Sequence, residues 1–93
     1  MTEIEEILHR GEQANQLMQH GAFKDTVADL ERRYYMEWVS SKDTAQREAL
    51  FARVGVLKDF VAELAGWVTA SEQVQQNIEE ENAFNAGEND YVD

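Results

Sequence analysis

Residues 33–50 read RYYMEWVSSKDTAQREAL, and this stretch joins two helical patterns through a polar break. Residues 40–44 are turn-forming types. Asp43 is a favourable N-cap for the following helix, with Thr44 as the alternative, and Gln46 completes a capping-box pattern. Before the break, apolar side chains step by 4, 3, 4 and 4 residues, at Phe23, Val27, Leu30, Tyr34 and Trp38. The stretch therefore predicts the bend of an antiparallel helical hairpin.

The helix after the bend is the long one, predicted over residues 44–80. Its first apolar stripe steps by 4 and 3 residues in turn, a seam typical of helices packed lengthwise, at Leu50, Val54, Leu57, Val61, Leu64 and Val68. A second stripe repeats every seven residues beside it, at Phe60, Trp67 and Val74. Together the stripes make a face wider than one neighbouring helix needs, so another subunit or the first helix is expected to cover part of it.

Small residues interrupt the same helix at Gly55, Ala62 and Gly66. Gly55 and Gly66 lie eleven residues apart, about three turns, and so point the same way. A glycine inside a helix costs about 1 kcal/mol relative to alanine. We therefore predict that these three positions let another helix backbone approach closely.

The chain ends complete an all-α prediction, with one domain over residues 1–80. A first helix over about 2–19 begins at Thr2, and His20 with a left-handed Gly21 is expected to end it. The second helix is predicted over 22–39. Residues 81–93, ENAFNAGENDYVD, lack periodicity and are predicted to form a disordered acidic tail.

Composition narrows the function. The 93 residues include no cysteine or proline and carry a net charge of −11, of which residues 72–93 contribute −7. Direct nucleic-acid binding is not expected, because it requires a basic face. The acidic N-terminus does not resemble a signal peptide, and no apolar run is long enough to span a membrane. From the composition we expect a soluble intracellular protein.

Neither catalysis nor metal binding is expected, and no cofactor is implied. His9 and His20 lack the further ligands of a zinc site. Glu79, Glu80 and Glu81 are solvated acids outside any pocket, and no nucleophile or phosphate-binding motif appears. The aromatic cluster at Tyr34–Trp38 is interpreted mainly as helix packing, with a ligand site as the alternative.

Residues 23–68 resemble a group of small, mostly uncharacterised helical proteins of tailed bacteriophages, encoded near packaging and particle genes. The similarity covers about half of the chain and rests on an aromatic and leucine series around an Asp-Thr turn: Phe23, Leu30, Tyr34, Trp38, Asp43, Thr44, Arg47, Glu48, Leu50, Phe51, Leu57 and Leu64. The resemblance implies a role in the virion or its assembly, and therefore a location in the host-cell cytoplasm or the virion. It supplies no catalytic residues.

The sequence thus predicts a non-enzymatic assembly or interaction protein, with proteins as partners and a homo-oligomer as the expected state. The expected partner-binding residues are Phe60, Leu64, Trp67, Val74, Phe84 and Tyr91. The alternative is an acidic inhibitor whose carboxylates imitate nucleic-acid phosphates on a basic enzyme surface.

Overall fold

The chain folds into three α-helices, here described from a computed structural model that covers the backbone of residues 1–89 and the side chains of residues 1–85. The helices are α1 (Glu3–Gln19), α2 (Gly21–Ser40) and α3 (Thr44–Asn89). No strand occurs in this part of the chain. The predicted all-α class and the long third helix are confirmed.

The three helices form a rod that is two helices thick, with extents of 77 × 24 × 23 Å. α1 and α2 lie end to end along α3. Gly11 of α1 lies against Ser71, and the ring of Phe23 in α2 lies 6.4 Å from that of Phe60. Because later residues of the first two helices meet earlier residues of α3, both run antiparallel to it.

The C-terminal boundary of α3 differs from the prediction. The helix continues to Asn89 rather than ending near Glu80. The physical reason is that adding a residue to an existing helix costs far less than nucleating one, and no proline intervenes. Residues 90–93, which include the predicted contact Tyr91, lie outside the described residues.

The break between α1 and α2 is made by His20, which caps both helices. Its backbone N–H donates to the Leu17 carbonyl (3.1 Å), and its Nδ1 accepts from the Ala22 N–H (3.2 Å). The left-handed turn predicted at Gly21 is wrong, since no glycine in residues 1–89 has a positive φ. The extended conformation of His20 (φ −68°, ψ 131°) turns the chain instead.

The hairpin corner is closed by hydrogen bonds around the buried Ser41. The Ala45 N–H donates to Asp43 Oδ1 (3.1 Å), which confirms the predicted N-cap. Gln46 does not reach back to Asp43; its Oε1 accepts from Ser41 Oγ (3.2 Å). Arg47 Nε donates to the Ser41 carbonyl (3.0 Å). These contacts satisfy the polar groups that the sharp bend would otherwise leave unpaired.

The core of the rod is small. Among the described residues, the buried apolar side chains are Ala14, Leu50 and Leu64, and none of the residues of α2 is buried. Two helices side by side can cover only one stripe of each other, which leaves large apolar side chains in contact with water. A rod of this kind gains stability when another surface covers its flanks.

Candidate interaction surfaces

The predicted partner-binding residues have different environments. Phe60 is 53% exposed and Trp67 is 38% exposed, so both are accessible on one flank of α3. Leu64 is only 8% exposed and belongs to the core. Val74 is half-buried, whereas Phe84 is exposed on the last turns of α3. The accessible part of the predicted stripe is therefore centred on Phe60 and Trp67.

The N-terminal helix contributes to the surface around Trp67. The guanidinium of Arg10 lies over the indole ring, with 5.5 Å between Cζ and the ring centroid. Such a cation–π contact fixes the orientation of a partly exposed ring. The apolar face of α3 was predicted to be covered in part by the first helix or by another subunit, and α1 covers the part around Trp67. The Trp67 ring stays partly exposed.

The close helix approach occurs at Gly11. A Cβ added there would lie 2.6 Å from Ser71 Oγ and 3.0 Å from the Trp67 carbonyl oxygen. The same construction at Gly55 and Gly66 meets nothing within 4 Å, and Ala62 is exposed. Within the described residues, no other helix packs closely against these three positions. That another helix backbone approaches them stays a prediction, now for a contact between molecules.

Gly11 was not among the predicted close-packing positions. A usable signal was present, because Gly11 and Ala14 put two small residues on one face of α1. Ser71 is the small residue three positions after Val68, where the leucine-rich seam of α3 continues. Small residues facing each other on two helices permit a short interaxial distance.

We call the cleft between α2 and α3 near the corner the hairpin groove. It has a volume of about 270 Å³. Its lining is mainly aromatic and aliphatic, with one acid and one base at the rim: Glu31, Tyr34, Tyr35, Trp38, Leu50, Phe51, Val54 and Lys58. Phe51 projects from the edge of the groove and is 78% exposed. Arg47 lies over the Trp38 ring, 5.3 Å from its centroid.

The opposite flank of α2 and α3 carries a shallower apolar surface. It is lined by Tyr34, Ala52, Arg53, Val56, Leu57 and Phe60. Val56 is 69% exposed at its centre. Both flanks of the hairpin therefore present apolar side chains to solvent. The aromatic cluster of the sequence is divided accordingly. Tyr34 is half-buried, Tyr35 is exposed where it lines the hairpin groove, and Met36 is exposed on the outer surface of α2.

Charge divides the rod into two halves. The hairpin half, residues 21–60, carries seven acids and seven bases, whereas the acidic half, residues 1–20 and 61–89, carries ten acids and one base. The antiparallel arrangement of α1 and α3 creates this division, because it places the N-terminal glutamates at the same end as Glu79, Glu80 and Glu81. The salt bridge within the described residues joins Arg32 to Asp29.

No group of three or more metal-ligating side chains comes together within residues 1–89. Glu12 and Glu72 line a shallow cleft between α1 and α3 together with polar and small residues. Within the same residues, no helical stretch combines the length and hydropathy that crossing a bilayer requires.

The sequence matches no protein-family model, and comparison with known proteins and with solved structures gives no match.

Proposed function

We propose that this chain is a non-enzymatic assembly protein of a tailed bacteriophage, acting through packing of its exposed helix faces against other protein surfaces. The observation that carries the proposal is the exposure of large apolar side chains along a rod only two helices thick. Clusters of exposed apolar side chains are typical of interaction sites. The bacteriophage setting is inferred from the resemblance of residues 23–68.

The flank that contains Phe60 and Trp67 is proposed to contact the larger assembly. Aromatic residues contribute disproportionately to binding energy when they become buried at an interface. Arg10 holds the Trp67 ring in place before binding, which lowers the ordering cost. Phe84, exposed on the acidic end of α3, is proposed as a second anchor.

Substituting Trp67→Glu tests this surface. We expect the variant to show a lower oligomeric mass or to lose docking to the assembly, because a carboxylate cannot be buried there without a large desolvation cost. Light scattering after size exclusion measures the mass, and far-ultraviolet circular dichroism checks that helicity is retained.

The matched control for that variant is Gln73→Glu, which adds the same charge at an exposed position of α3. It should leave both mass and docking unchanged. If Trp67→Glu assembles as the unmodified chain does, the proposed contact flank is incorrect.

A second function, an acidic inhibitor of a nucleic-acid enzyme, is supported by the acidic half of the rod. Glu79, Glu80 and Glu81 lie on a helix, so their carboxylates are held on an ordered element rather than on a flexible chain. Imitation of phosphates requires negative charge that is held on an ordered element. The ten acids against one base of this half supply that charge.

Salt dependence separates the two functions. An acidic inhibitor should lose affinity for its basic partner steeply between low and moderate salt, and deletion of residues 81–93 should abolish binding. Replacing Glu79, Glu80 and Glu81 by glutamine removes charge while keeping the helix length, and should weaken binding in the same direction. Partner binding that is insensitive to salt and to both variants would exclude the inhibitor function.

A further inference from the structure

We propose that the hairpin groove binds a second copy of this chain, so that two rods associate antiparallel through their hairpin halves and Phe51 of each copy fills the groove of the other. This inference rests on the proposed function and specifies one partner and one surface for it. The Phe60–Trp67 flank then stays available for the larger assembly.

One flank of the hairpin half carries both a projecting side chain and a recess. Phe51 is 78% exposed at the groove edge. The groove beside it is open and about 270 Å³ in volume, which is large enough for an aromatic side chain. A twofold axis brings the projection of each copy to the recess of the other, which is the self-complementarity that an isologous interface requires.

The distribution of charge along the rod favours the antiparallel arrangement of the two copies. The hairpin half is neutral in formal charge, so two hairpin halves meet without net repulsion. The acidic halves each carry ten acids against one base, and a parallel arrangement would put them side by side. An antiparallel arrangement places them at opposite ends of the dimer, far beyond the screening length of about 8 Å at physiological salt.

The flank of the hairpin half also offers enough surface area for contact with a second copy. α2 has 20 residues, and the rod is about 24 Å wide. A flank about 30 Å long and of that width offers roughly 700 Å² per copy, close to the 800 Å² per partner of ordinary stable interfaces. The hairpin half alone therefore suffices for a dimer.

The decisive variant is Phe51→Glu, measured by light scattering after size exclusion at low and moderate salt. The unmodified chain, of 10.7 kDa, should have twice that mass at both salt concentrations, because the contact is apolar. Phe51→Glu should have the monomer mass with unchanged helicity, since its side chain is exposed in the single chain. The matched control, Val56→Glu on the opposite flank, should stay dimeric.

The orientation is tested separately with Glu81→Cys, which uses the absence of native cysteine. In an antiparallel dimer these cysteines lie at opposite ends and should not form an intermolecular disulfide on oxidation. Efficient cross-linking would overturn the antiparallel arrangement.

The remaining outcomes are distinguishable. If Phe51→Glu stays dimeric while Trp67→Glu dissociates, the groove inference fails and the proposed assembly function stands with a different contact. If the unmodified chain is a monomer at every concentration, the groove inference fails. The proposed function then depends only on whether Trp67→Glu loses docking to the assembly.

Discussion

Gly11→Ala is expected to lower the free energy of unfolding by about 2 kcal/mol. The added methyl group would lie 2.6 Å from Ser71 Oγ and 3.0 Å from the Trp67 carbonyl oxygen. Ser71 Cβ lies closer still, and neither this atom nor a backbone carbonyl can move away unless α1 shifts from α3. Overpacking of this kind costs about 1–3 kcal/mol. Alanine has a higher helix propensity than glycine by at most about 1 kcal/mol. This gain offsets part of an overpacking cost near the upper end of that range, which leaves a net loss of about 2 kcal/mol.

Gly66→Ala is the control, because a methyl group there meets nothing within 4 Å. This variant should be more stable than the unmodified chain by up to about 1 kcal/mol. Urea unfolding followed by circular dichroism measures both variants. Adding Ser71→Gly to Gly11→Ala removes the closest neighbour and should restore part of the loss. Equal stabilities for the Gly11 and Gly66 variants would show that the two helices do not meet at Gly11.

Leu50→Ala is expected to destabilise the chain by about 3 kcal/mol. Leu50 is 2% exposed and lies where the hairpin half has little other buried apolar surface. Truncating a buried leucine removes its transfer free energy and leaves a cavity, at a cost of about 2–5 kcal/mol. Because few buried side chains stabilise α2 against α3, we expect the loss to be concentrated in the hairpin half.

Hydrogen exchange can locate that loss. Amide protons of α2 should exchange faster in Leu50→Ala, whereas those around Gly11 and Ser71 should be less affected. Val56→Ala provides the matched control, because its side chain is 69% exposed and its loss should cost less than about 0.5 kcal/mol. A uniform acceleration along the rod would mean that both halves unfold as one unit.

The hairpin was predictable because its determinants are local. Asp43 caps the helix that follows it, and the spacing of apolar residues on either side identifies two helices. The same reasoning identified Thr2 as the first cap, and its Oγ1 accepts the Glu5 N–H (3.2 Å). Each of these features depends on residues that are close together in the chain, so a continuous stretch of sequence is enough to predict it.

Predictions that depended on distant partners were less successful. The close packing at Gly11 was not predicted. Its small size is required by Ser71, which is 60 positions away in the chain. Leu64 and Phe60 were both predicted to bind a partner, yet Leu64 is buried in the core and Phe60 is 53% exposed. The end of α3 was placed too early, since polar composition was weighed above the ease of extending a helix already formed.

The sequence by itself determined the all-α class, three helices, the corner at Ser41 and Asp43, and the excess of acids near the C-terminus. Each of these follows from periodicity, capping or composition along a continuous stretch. Only the tertiary structure decided that α1 lies on the far half of α3, that the acids of both termini share one end of the rod, and that the hairpin groove stays open. Periodicity shows which face of a helix is apolar, but which neighbour covers that face depends on contacts between segments far apart in the chain.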